Sequence, residues 1–179
     1  MLFRSQFVAA HAVNIELGFP TVLCPGELDE IIDVSLLGLT IFNVLPPDDL
    51  RMIETAEAIS KELWLKSPIE GSARYQNDNY QRSSDVPADM PGNPWFISTL
   101  WLGEYYINRA KSIDELHVAI PYLQWCADNA LPSGVLAEQV HPIDGSPLSV
   151  SPLTWSHSAY VWTVILYAEK YELLTNNSG

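Results

Sequence analysis

Three stretches of this chain are apolar nearly all the way round a helix, and two amphipathic stretches separate them. The three are DEIIDVSLLGLTIFN, PWFISTLWLGEYYI and LTWSHSAYVWTVILYAEKY. A helix without a polar face has to be covered on both sides, so each predicts an inner helix. In DDLRMIETAEAISKEL, Met52, Ala56, Ile59 and Leu63 recur at helical spacing with charges opposite, which predicts an outer, half-solvated helix. IDELHVAIPYLQWCADNA repeats the pattern through Leu116, Ile120, Leu123 and Ala127, and Pro121 is expected to kink it or split it in two.

The order is therefore inner, outer, inner, outer, inner, with inner helices starting near residues 30, 94 and 153. Such alternation predicts an all-α fold, part of an α/α toroid built from about five helices. The β-branched run VWTVILY leaves a strand open, but its length and the lack of hairpin signals favour helix. Asn93-Pro94 and Ser151-Pro152 each read as a capping side chain followed by proline at the first helical position. Inner helices of a toroid run parallel, so the loops preceding them open on one rim. The two most polar loops, Glu70 to Asn93 and Leu136 to Ser151, both precede an inner helix and are expected to share that rim.

Composition narrows the function. The 179 residues suit one domain, and a net charge of −13 repels phosphate backbones and anionic lipid surfaces, so neither nucleic acid nor a membrane is an expected partner. A neutral ligand such as a sugar is unaffected. Cys24 and Cys126 form no disulfide framework or CxxC pair, His11, His117 and His141 share no motif, and no spacing suits a metal. No segment has the length of a membrane span and no signal peptide is clear, which leads to an expectation of a cytoplasmic protein. Asp33, on the first inner helix, is a carboxylate that needs a partner, either structural or facing the rim.

Glycosidic bonds are broken by two carboxyl groups, one donating a proton to the leaving oxygen and the other activating water or attacking directly. Glu138 lies in the second rim loop with Gln139, Trp155, Ser156 and His157 as plausible neighbours. The segment from AEQ through DGSPLSVSPLTWSH, with seventeen residues from Glu138 to Trp155, resembles the catalytic-base region of glycoside hydrolase family 15, the glucoamylases and glucodextranases. Upstream, DEIIDVSLLGLTIFNVLPPDD and ARYQNDNY followed by GNPWFISTLWLGEYY resemble bacterial and archaeal members of the same family. Three blocks in the same order cover roughly Leu28 to Tyr171.

That resemblance implies an (α/α)6 barrel, no cofactor, and an inverting glycosidase of glucoamylase type acting on α-glucosidic bonds of an oligosaccharide or disaccharide of glucose, with trehalose hydrolysis as a close variant. It implies that Glu138 is the general base. Arg74 matches an arginine that holds sugar hydroxyls, Asp78 would orient Arg74 or the sugar, and Trp95 and Trp155 match pocket tryptophans. Gln139 and His157 fall to supporting positions. On residue type alone, Arg74 could pair with surface acids, Asp78 could cap a turn, both tryptophans could be core, and His157 could be structural.

The resemblance places the general acid in the earlier half of the barrel, before anything matched here. Residues 1–25 depart from the family pattern, and 26–175 correspond to the C-terminal part of the barrel, so the chain is expected to be part of a longer enzyme. Asp85 or Asp89 could replace the acid only at about 6.5–9.5 Å from Glu138. An open arc would leave one apolar edge wet, so association through that edge, or with a missing N-terminal half, is expected. The competing reading is a non-catalytic sugar-binding or structural remnant, comparable to the glucoamylase-like domains of phosphorylase kinase.

Overall fold

A computed structural model describes residues 31–176. The first two residues of the first predicted inner helix, the segment 1–25, His11 and Cys24 lie outside the described residues. Within them the chain is helical. A 3-10 turn, Val34–Leu37, runs into α1 (Gly38–Ile41); α2 is Leu50–Glu62, α3 Phe96–Arg109, α4 Ile113–His117, α5 Ile120–Asp128 and α6 Thr154–Asn176. Two long loops, 63–95 and 129–153, interrupt the helices, and the second holds two-residue strands, β1 (Gln139–Val140) and β2 (Pro147–Leu148), paired antiparallel with Gln139 opposite Leu148 and Val140 opposite Pro147.

The first outer helix follows the predicted pattern; in the second, Leu116 is buried and Leu123 half-buried, but Ile120 and Ala127 are exposed, because the split at Pro121 lets α5 turn Trp125 and Cys126 inward instead. Asp49 caps α2 by accepting from Arg51 N–H, and the helix buries Met52, Thr55, Ala56 and Ile59. The second amphipathic segment is split as expected: α4 ends at His117, and Pro121 sits in the first turn of α5, where its missing N–H costs nothing.

The inner helices differ in instructive ways. α3 is covered on both sides, with ten of its fourteen residues buried. Gly103 lets α5 approach closely, since a Cβ there would stand 3.1 Å from Tyr122 Cβ. α6 is covered on one side only. The face it turns to its neighbours carries the small residues Ser156, Ala159 and Thr163, while Trp155, Val161, Trp162, Val164 and Ile165 are exposed. This is the wet apolar edge that an open arc leaves.

The first inner helix is shorter than predicted. Ile32 and Asp33 are pinned as extended chain against the loop after α2: Gln76 N–H donates to Ile32 O at 3.1 Å, Ile32 N–H to Gln76 Oε1 at 3.0 Å, and Val34 N–H to Arg74 O at 2.8 Å. Asp33 Oδ1 then caps the 3-10 turn by accepting from Ser35 N–H at 2.7 Å. Its carboxylate is thus engaged at a helix start.

The two proline start signals are also displaced. α3 begins at Phe96 with Trp95 as cap, because Trp95 N–H donates to Ser72 O and Pro94 O accepts from Val140 N–H, which holds Pro94 and Trp95 extended. α6 begins at Thr154, because Leu153 N–H donates to Leu136 O at 3.0 Å. In both cases a cross-loop backbone bond outcompetes the local capping preference.

Candidate functional site

The two rim loops lie against each other in front of α3 and α6. Asn93 Nδ2 donates to Gln139 Oε1 at 2.8 Å, Val140 N–H to Pro94 O at 3.1 Å, and the Tyr80 hydroxyl lies 3.3 Å from Ser149 Oγ. Arg74 stands at the start of the first loop. Its Nε and Nη2 donate to Asp78 Oδ2 and Oδ1 at 2.7 and 2.9 Å, a two-pronged bond to a carboxylate only 1% exposed. Asp78 Oδ1 also accepts from Tyr80 N–H at 3.0 Å.

Aromatic rings surround the guanidinium. Arg74 Cζ lies 4.0 Å from the Trp95 ring centroid, 5.1 Å from Tyr75 and 5.2 Å from Tyr80. Burial works to lower its basicity, but the hydrogen bonds and charge of Asp78, then Tyr75 and Glu138, outweigh it and hold Arg74 above its ordinary value. Two of its five N–H groups are taken by Asp78.

Glu138 is half-buried on the facing loop, close enough for its charge to act on Arg74. Its backbone is fixed by Glu138 N–H to Val150 O at 2.9 Å. On the N-terminal side, Leu136 N–H donates to His157 Nε2 at 3.0 Å and Ser156 Oγ donates to Ala137 O at 2.7 Å, so the first turn of α6 grips the residues before Glu138. On the C-terminal side, Gln139 is fully buried and tied to Asn93. The Glu138 side chain itself is left largely uncommitted: Oε2 is buried without a hydrogen-bond partner.

Such orphans concentrate here. Of seven buried side-chain polar atoms without a partner among the described residues, five belong to these loops and the residues joining them to α3: Asn93 Oδ1, Trp95 Nε1, Glu138 Oε2, Gln139 Nε2 and His141 Nδ1. Polar groups buried without partners are uncommon and mark places where something other than packing set the sequence.

The sequence-predicted residues separate into two groups. Arg74, Asp78, Trp95 and Glu138 come together, although Trp95 is 3% exposed and lies under Arg74, so it offers Arg74 a platform. Trp155 is 51% exposed at the head of α6. Asp85 and Asp89 are exposed, and Asp85 Oδ1 faces His141 Nε2 at 3.3 Å. Tyr80 was not singled out by the sequence reading, though it lies inside ARYQNDNY; its signal was only its place in that block. Among the described residues no group of three or more His, Cys, Asp or Glu is placed to hold a metal ion, and no helix is long and apolar enough to cross a membrane.

Comparison with known proteins identifies the family and the fold. Residues 7–164 match the glycosyl hydrolases family 15. An uncharacterized glycosyl hydrolase of Methanocaldococcus jannaschii is 39% identical over 144 residues, 75% of this chain and 22% of that protein. A glucoamylase of a Clostridium species is 32% identical over 137 residues, 74% of this chain and 19% of its own length. A bacterial glucoamylase whose crystal structure was determined with acarbose superposes with a TM-score of 0.67 at 29% identity, covering 79% of this chain and 21% of that one. The chain thus spans about a fifth of the length of these relatives. With the match extending over most of its length and its helices forming part of an (α/α)6 toroid, the chain belongs to glycosyl hydrolase family 15.

Proposed function

We propose that the two rim loops form the base-bearing part of a glucoamylase-type site, with Glu138 as the general base of an inverting hydrolysis of α-glucosidic bonds. One observation carries this: Glu138 Oε2 is uncommitted while the residue's charge acts on an Arg74 already locked by Asp78. Taking a proton from the attacking water requires free lone pairs on a carboxylate whose backbone cannot wander. Arg74, with part of its fork free, holds adjacent sugar hydroxyls. Asp78 and Trp95 act through Arg74, and Gln139 and His157 act by fixing the chain on either side of Glu138. The exposed indole of Trp155 offers a face to the C–H side of a pyranose. A saccharide ligand is supported by the acarbose held in the similar bacterial glucoamylase.

We assign the general acid to the earlier half of the toroid, outside residues 31–176, and residues 26–175 to the C-terminal part of the barrel. The test pairs this chain with a separately made N-terminal part of a related glucoamylase and measures glucose release from maltose, isomaltose and trehalose. Glucose release that falls by about a thousandfold or more in Glu138→Gln supports the reading. Saccharide binding with no Glu138-dependent release under any pairing moves the chain to a non-catalytic sugar-binding role.

A further inference from the structure

Asn93 is 1% exposed, and its single amide group is spent on both rim loops at once. Nδ2 donates to Gln139 Oε1 at 2.8 Å, to Gln81 O at 3.1 Å and to Tyr80 O at 3.3 Å, so two protons serve three oxygens. Oδ1 is buried with no hydrogen-bond partner. These neighbours fix which way the amide faces, because the reverse orientation would set Oδ1 against three oxygens. A buried amide is ordinarily satisfied on both its sides. Here every bond of the side chain is on the donor side, and together they join residues 80 and 81 to residue 139.

The turn that Asn93 holds is an uncomfortable one. Arg82 N–H donates to Asn79 O at 3.3 Å, closing a turn whose central residues are Tyr80 and Gln81, and Gln81 sits at φ +56°. Turns that need a left-handed residue there normally place glycine or asparagine in it. The turn presents the Tyr80 ring to Arg74, 5.2 Å from Cζ, and sets the Tyr80 hydroxyl 3.3 Å from Ser149 Oγ on the other loop. Ser149 adjoins Val150, whose carbonyl accepts from Glu138 N–H at 2.9 Å. At its other end the Asn93 amide meets Gln139, the residue next to Glu138.

We propose that Asn93 is a positioning residue that sets the spacing between the Arg74 and Tyr80 side of the site and the Glu138 side. The catalytic consequence rests on the function proposed above; the tie between the loops does not. Asn93 works through Gln139 and through the Tyr80–Gln81 turn, so what it governs is distance. A water activated by Glu138 reaches the anomeric carbon only when the sugar is held in the right place, and a misplacement of about 1 Å costs on the order of a hundredfold in rate. Losing the tie therefore lowers kcat and leaves KM nearly as it was.

Two substitutions divide the tie. Asn93→Asp keeps the shape but removes both donors; the Gln139 amide can turn to donate Nε2 to the new carboxylate, whereas Tyr80 O and Gln81 O are left facing it. Gln139→Leu removes the bond across the loops and leaves those to Tyr80 O and Gln81 O in place. Amide hydrogen exchange in the full chain reads each half through Tyr80 N–H, which donates to Asp78 Oδ1, Arg82 N–H, which donates to Asn79 O, and Val140 N–H, which donates to Pro94 O. Asn93→Asp is expected to lower protection of Tyr80 and Arg82 about tenfold, and Gln139→Leu that of Val140 about tenfold, with α2 and α3 within about twofold of the unsubstituted chain.

In the paired assay on maltose, at a temperature where circular dichroism shows the variants folded, each is expected to lower kcat by about ten- to a hundredfold with KM within about threefold. Unchanged exchange at Tyr80 in Asn93→Asp, or a loss of protection spread evenly through α2 and α3, overturns the proposal. If Asn93→Asp does not fold, Gln139→Leu decides: lowered kcat with KM retained supports the positioning role, and unchanged kcat overturns it. The expected exchange pattern with no Glu138-dependent glucose release from the unsubstituted pair sinks the proposed function and leaves the tie standing. Glu138-dependent release that neither variant slows does the reverse.

Discussion

Asp78 grips Arg74 along one edge of its guanidinium, at 2.7 and 2.9 Å, while the Trp95 ring lies 4.0 Å from the guanidinium carbon. The pair sits four residues apart in a loop, so a single turn of chain builds both the cation and its clamp.

Removing that clamp should cost stability as well as position. Asp78 is buried and Arg74 is 30% exposed, so the expected loss for Asp78→Ala is about 2 kcal/mol, below the cost of breaking a fully buried pair. Urea denaturation checks it. Arg74→Lys is expected to weaken saccharide binding nearly as much as Arg74→Ala, because an ammonium cannot replace a fork held along one edge.

Glu104 should make the fold sensitive to pH. Burial between α3 and α6 pushes its carboxyl up from 4.5 to about 7, with the Thr163 hydrogen bond pulling weakly the other way. The Thr163 hydroxyl has one proton but lies 2.8 Å from Ala159 O and 2.9 Å from Glu104 Oε1, so a protonated Glu104 supplies the second. The folded state binds this proton more tightly than the unfolded state. Its contribution is therefore full below pH 4.5 and is lost as pH rises through about 7. Glu104→Gln is expected to flatten that fall and to gain up to roughly 3 kcal/mol above the upper limit, read from urea midpoints at mildly acidic and mildly alkaline pH.

Gly71 tests how tightly the first rim loop is seated. Its φ is +86°, and a Cβ would lie 2.5 Å from Trp125 Cζ2 and 2.8 Å from Pro94 Cβ. Trp125 cannot swing aside freely because its Nε1 donates to Ile69 O at 2.7 Å. Gly71→Ala is expected to destabilise by about 2 kcal/mol or more, visible as a lower thermal midpoint.

The exposed face of α6 predicts self-association of this polypeptide when expressed by itself. Val161, Trp162, Val164 and Ile165 put four large apolar side chains in water on adjacent turns. Light scattering should show oligomers at micromolar concentration, and Trp162→Lys combined with Ile165→Lys should reduce their size. A monodisperse monomer of the unsubstituted chain would overturn this expectation.

Periodicity by itself determined the helices of this protein, their alternation and the split at Pro121, because an apolar stripe or an apolar cylinder is a local property of sequence that any neighbour must cover. It also marked the two polar loops, and the blocks within them carried the family. Tertiary structure alone decided where those helices begin and how the loops interlock. Ile32 gives up helix to pair with Gln76, Trp95 to pair with Ser72, and Leu153 to pair with Leu136, each through bonds to residues far away in the chain that leave no periodic trace. The place of Tyr80 beside Arg74 and of Asn93 between the two rim loops was hidden for the same reason. A side chain's local pattern tells which way it faces, but only the folded chain determines which distant partner it meets.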